Sequence, residues 1–137
     1  MSDPNARRNL EASVAELESE HHTISTVLQR LGDARDAGTL TAALHDLRRL
    51  LADHFTHEEQ PGGLYDRMGV VSQEYRDRVR GLVDDHFQIL STVRTLEKQA
   101  SEHQADVSEA ARGLQALLAR HEHRENEMVI AARRTSS

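Results

Sequence analysis

The chain has 137 residues, one domain's worth of sequence, and carries 17 Lys+Arg against 23 Asp+Glu, a net charge of −6 with histidine neutral. A net-negative domain without a basic patch has no electrostatic grip on nucleic acid or on an anionic membrane. The absence of cysteine excludes disulfides, thiolate metal sites and cysteine nucleophiles. The first residues are polar and no apolar run approaches the ~20 residues of a membrane span, so a cytoplasmic protein is expected.

Apolar residues recur every three or four positions through segments rich in Ala, Leu, Glu, Gln and Arg, which predicts an all-α chain. A first helix is expected from about Pro4 to Leu31, with Asp3 as its cap and Pro4 in the first turn, where a missing N–H leaves nothing unpaired. After the Gly32 to Gly38 link, a second helix starts near Thr39, capped by Thr39 or Thr41, and runs to Gln60, where Pro61 ends it. Pro61 to Gly69 reads as a loop, either a plain connector or a glycine-softened approach to whatever lies at the end of the second helix. A third helix is expected from its cap Ser72 to about Gln99. Neither Gly nor Pro marks its end, but Ser101 and Gln104 have capping-box spacing, so the fourth helix is placed from near Glu102 to near Arg133. Four helices joined by short links make an antiparallel up-down-up-down four-helix bundle, one domain over residues 1–137.

Nine histidines in a chain with two phenylalanines and no tryptophan raise the question of metal. The inward positions answer it through an internal repeat. The first helix reads Leu10, Val14, Leu17, His21, Ile24, Leu28, Leu31; the third reads Tyr75, Val79, Leu82, His86, Ile89, Val93, Leu96, at a constant offset of 65. In each, one histidine takes a leucine's slot, and an acid, Glu20 or Asp85, precedes it. The second helix reads Ala43, Leu47, Leu50, Leu51, His54, Glu58; the fourth reads Ala110, Leu114, Leu117, Leu118, His121, Glu125, at an offset of 67. Here a glutamate follows the histidine by four residues, on the same face.

Six donors thus point into one bundle. Imidazole and carboxylate without sulfur suit iron, manganese or zinc. A buried carboxylate costs several kcal/mol unless it is paired or metal-bound, so two inward glutamates among leucines call for cations. Two ions meet the need, with His21, His54, His86 and His121 as terminal ligands and Glu58 and Glu125 bridging. With a water-derived oxo or hydroxo bridge each ion has about five ligands, which leaves room for an exogenous small molecule. His22 competes with His21, because Ile24-Ser-Thr-Val27 resembles Leu90-Ser-Thr-Val93 one residue out of phase; the longer heptad match favours His21. His57 sits at the edge of the site face, while His45, His103 and His123 fall away from it.

These pieces, Glu20-His21-x-x-Ile24, His54-Phe55-x-x-Glu58-Glu59, Asp85-His86-x-x-Ile89 and His121-x-x-x-Glu125, resemble the hemerythrin-like (HHE) cation-binding domain family, from about Glu11 to Ala131. The resemblance implies a bundle holding two non-haem iron ions, iron being favoured over manganese or zinc. It implies His21 and His54 on one iron, His86 and His121 on the other, and Glu58 and Glu125 between them. Two departures set the chain apart from the oxygen carriers of that family. Their additional third-helix histidine is missing, since the flanking positions are Leu82 and Leu90, and Glu125 stands where they have an aspartate at longer spacing. A less saturated site favours reaction over reversible storage, with His57 and His22 as candidates for a fifth nitrogen ligand.

The expected function is a di-iron protein that binds or reacts with dioxygen, peroxide or nitric oxide, supported by a reductant or a separate output protein. A redox or iron-sensing interaction module and a catalase-like, peroxide-consuming enzyme are the alternatives. A proton donor other than the ligands would favour an enzyme. The phenols are Tyr65 and Tyr75, and Tyr75 lies about 16 Å along the helix from His86, too far for direct proton transfer.

Overall fold

Helix α1 spans Pro4–Asp33 and opens on the proline whose fixed φ suits a first turn. The computed structural model describes residues 4–71, 74–103 and 108–136, with side chains described outside 70–77, 101–110 and 135–136. The expected caps Asp3 and Ser72, the capping-box residue Gln104, and the side chains of Tyr75 and Ala110 lie outside the described residues.

Helix α2 spans Ala37–Glu59 and begins two residues before the expected start. Its cap is Asp36 and not Thr39 or Thr41: the Thr39 N–H donates to Asp36 Oδ1 at 2.8 Å, and the Thr39 hydroxyl donates to the other oxygen at 2.9 Å. A carboxylate caps at least as well as a hydroxyl, and here the threonine serves as its partner three residues on. At the other end Gln60 is extended, as the residue before a proline must be, and Gly62 adopts φ +80°. The Gly63 N–H donates to the Gln60 carbonyl at 2.8 Å, which closes a tight turn with Pro and Gly at its centre.

That turn leads into helix α3, Leu64–Val71, so the segment read as a loop is a turn plus two helical turns. Leu64, Tyr65 and Met68 go inward, while Arg67 Nη1 donates to the Asn9 carbonyl (2.9 Å) and Ser13 Oγ (2.6 Å) on α1. Helix α4 spans Glu74–His103 and α5 spans Ser108–Ser136. The fourth long helix therefore starts at Ser108 and not near Glu102. Nothing from Gln99 to His103 breaks the ladder, and propagating a formed helix gains a hydrogen bond per residue, so α4 runs through the local capping pattern.

The four long helices form a square, α1 beside α2 and α5, and α4 beside α2 and α5, with α3 against all four near one end. Cross-helix pairs establish the alternating directions: Arg30 with Asp46, Arg48 with Glu97, Asp85 with Arg124, and Glu11 with Arg133. The molecule is an all-α, up-down-up-down bundle, and no helix among the described residues is long and apolar enough to cross a membrane. Its core falls into two apolar clusters. One holds Ile24, Leu47, Leu51, Ile89, Val93 and Leu114; the other holds Leu10, Leu17, Met68, Leu82, Met128 and Ala132. Along α1, α4 and α5 the histidine lies between the two, and on α2 it lies at the end of the first, so a polar layer divides the core.

Candidate metal centre

The three-four spacing delivers one imidazole from each long helix to that layer. His54, His86 and His121 are at most 3% exposed, Glu58 is 0% and Glu125 2% exposed, and His21 is half-buried. Two overlapping donor groups result: His21, His54, Glu58 and Glu125 form one, and Glu58, His86, His121 and Glu125 the other, each with its donor atoms within 4.8 Å of one another. Both glutamates belong to both groups. His21 sets its ring edge-on to His54, 4.5 Å between centroids, while His22 is exposed on the outer face. His45 and His123 are exposed too. His57 turns to Glu20, 2.6 Å from its Nδ1, and stands outside both groups; the His103 side chain lies outside the described residues.

An acid on a neighbouring helix meets the outer nitrogen of each fully buried imidazole. His54 Nδ1 lies 2.8 Å from Glu20, His86 Nδ1 2.7 Å from Glu59, and His121 Nδ1 2.9 Å from Asp85. A carboxylate accepts, so each Nδ1 carries a hydrogen, and the neutral rings of His54 and His86 turn an Nε2 lone pair inward. His86 Nε2 is 3.1 Å from Glu58 Oε1 and 3.1 Å from His121 Nε2, and His121 Nε2 donates to Glu125 Oε2 at 3.0 Å. His21 Nε2 and Glu58 Oε2 are buried with no hydrogen-bond partner among the described residues.

The electrostatics follow from this crowding of acceptors. Burial holds His54 and His21 below the ordinary histidine value, with His54 adding to the effect on His21. Burial, reinforced by His121, takes His86 down to about 3. For His121 burial pulls the same way but loses to its bonds with Glu125 and Asp85, and its value rises. Burial and the adjacent Glu125 push Glu58 well up. Glu125 goes down, because hydrogen bonds with Glu58 and His121 outweigh its burial. The glutamate pair shares one negative charge, since two buried carboxylates this close cannot both ionise without a cation. Nitrogen and oxygen acceptors converging in a dry layer fit hard or borderline metal ions, and cations relieve the several kcal/mol that unpaired buried charge costs.

Three features escaped the sequence reading. Glu20 and Asp85 were legible as acids preceding a histidine, but each braces the histidine of the next helix and not its own neighbour. Phe55 stacks on His86, 3.8 Å between centroids and 7° between planes. Tyr65, on the unforeseen α3, puts its hydroxyl 2.7 Å from Glu125 Oε2, 2.9 Å from His86 Nε2 and 3.4 Å from Glu58 Oε1. No periodicity could have found it, because it belongs to none of the four repeating helices.

Comparison with known proteins agrees with this geometry. The family model described as the hemerythrin HHE cation binding domain matches residues 12–132. No curated protein and no solved structure matches the chain.

Proposed function

The chain belongs to the hemerythrin HHE cation-binding domain family, and we propose that it is a non-haem di-iron protein that binds or reacts with a small ligand such as dioxygen, peroxide or nitric oxide. The observation that carries this reading is the pair of four-donor groups joined through Glu58 and Glu125. His21 and His54 would hold one ion, His86 and His121 the other, with both glutamates between them. Bound iron would supply electrons and an open position for the small ligand.

The chain's own residues do the remaining work. Glu20, Glu59 and Asp85 hold the imidazoles in the ligating tautomer. Phe55, Ile89 and Leu51 line the layer on one side and Leu17 and Leu82 on the other, which keeps bulk water out. Approach is left where His21 is half-buried, while Tyr65 walls the centre off from an open cleft of about 610 Å³ lined by Asn9, Gly62, Asp66, Arg67 and Val79. Such an opening suits a diatomic or peroxide better than a bulky substrate. A cytoplasmic location is part of the proposal and is tested by cell fractionation.

Metal analysis of the chain purified from iron-replete cells tests the reading directly. About two irons per chain are expected, with a near-ultraviolet ligand-to-iron band and no haem Soret band. One zinc per chain, or no metal, overturns it.

A further inference from the structure

The two helical hairpins match position for position, yet the two halves of the centre differ. Offsets of 65 and 67 pair Glu20 with Asp85, His21 with His86, His54 with His121 and Glu58 with Glu125. Glu59, which braces His86, has Asn126 as its counterpart, and Asn126 is exposed. The counterpart of Tyr65 is Ala132, a buried residue near the end of α5. Among the described residues, only the His86 and His121 side of the centre has a phenol built into it.

The hydroxyl of Tyr65 has three close neighbours and one hydrogen. The bond to Glu125 Oε2 (2.7 Å) takes that hydrogen. His86 Nε2, 2.9 Å away, is an acceptor too because its hydrogen lies on Nδ1 toward Glu59, so the single phenol hydrogen does not account for both approaches. A different geometry does. Adjacent ligands around a six-coordinate ion with bonds of about 2.1 Å stand about 3.0 Å apart. The separations of Tyr65 Oη from His86 Nε2 and Glu125 Oε2, and of His86 Nε2 from His121 Nε2 (3.1 Å) and Glu58 Oε1 (3.1 Å), all have that spacing. The ring is held there firmly: Tyr65 is 5% exposed, lies 5.7 Å from the His86 ring, and rides on a helix tied to α1 through Arg67.

Resting on the di-iron reading, we propose that Tyr65 is a fifth protein ligand, as phenolate, of the metal ion served by His86 and His121. On coordination the phenol O–H bond breaks, the oxygen–metal bond forms and the proton leaves to solvent, with no change of oxidation state.

The full chain loaded with iron and oxidised to the ferric state decides the matter. A visible phenolate-to-iron(III) charge-transfer band is expected, with tyrosinate ring modes in the resonance Raman spectrum. Tyr65→Phe is expected to lose both while keeping its helical circular dichroism and about two irons per chain. Tyr75→Phe, which removes the only other tyrosine, is expected to keep both. Two irons without the visible band, or a band that survives Tyr65→Phe or vanishes in Tyr75→Phe, overturns the ligand assignment and leaves the di-iron reading standing. Failure of the wild-type chain to take up iron overturns the di-iron reading and the assignment with it. If Tyr65→Phe does not fold, the wild-type and Tyr75→Phe spectra still identify which tyrosine carries the band.

Discussion

At the scale of single residues, the centre depends on side chains that never enter it. Glu20 is 26% exposed, yet one oxygen lies 2.8 Å from buried His54 and the other 2.6 Å from half-exposed His57. Removing such an outer partner frees both tautomer and ring orientation, which typically lowers metal affinity 10–100-fold. Glu20→Ala is therefore expected to weaken binding by roughly that factor in a chelator competition, with the fold intact by circular dichroism. An unchanged affinity would mean that packing alone orients His54. The same logic separates the histidines: His54, His86 and His121 have an acid at Nδ1 and a buried Nε2, His21 joins them through its buried Nε2, and exposed His22, His45 and His123 stand apart.

Among the elements, the turn after α2 and the short helix it launches carry the most consequence. A Cβ on Gly63 would press into the backbone carbonyl oxygens of His57 and Glu58, the latter 2.9 Å away, and backbone has little freedom to yield. Gly63→Ala is expected to destabilise the fold by about 1–3 kcal/mol, as overpacking does, and to displace α3 and with it Tyr65. Gly113 is the control. A Cβ there meets nothing within 4 Å inside an ordinary stretch of α5, so Gly113→Ala is expected to stabilise by about 0.5–1 kcal/mol. Urea midpoints read both changes, and equal effects of one sign would contradict the packing described for this turn.

Over the whole molecule, the polar layer joins all four long helices where a continuous bundle would have more leucine. Metal bound there holds the folded chain and not the unfolded one, so occupancy adds to stability by mass action. At a free metal concentration a thousandfold above Kd the gain is about 4 kcal/mol, which for a domain of this size lowers Tm by roughly 10 °C when the metal is stripped. Scanning calorimetry of the loaded, chelated and reloaded chain is expected to show that drop and its recovery. Identical midpoints in all three would show that the two apolar clusters hold the bundle without help from the centre.

Much of this was open to the sequence because a helix repeats. With 3.6 residues per turn, the pattern of leucines alone determined which face of each helix turns inward, and that phase put His21 and not His22 beside His54. The same regularity brought His54, Glu58, His86, His121 and Glu125 to one level of an all-α bundle. Where competing local signals are of similar strength, the sequence does not choose between them: Asp36 displaces two threonines as cap, and α4 runs past a capping pattern that nothing forces it to obey. Tertiary structure alone decided Tyr65 and the cross-helix braces. Tyr65 reaches the centre because a turn at Pro61 and Gly62 reverses the chain and because burial of Leu64 and Met68, with Arg67 on Ser13, fixes how α3 docks. Glu20 meets His54 across 34 positions of sequence, and Glu59 meets His86 across 27. Periodicity is a property of one helix and states which way a side chain faces; what it meets there depends on how separate helices pack, and no repeat within a helix encodes that.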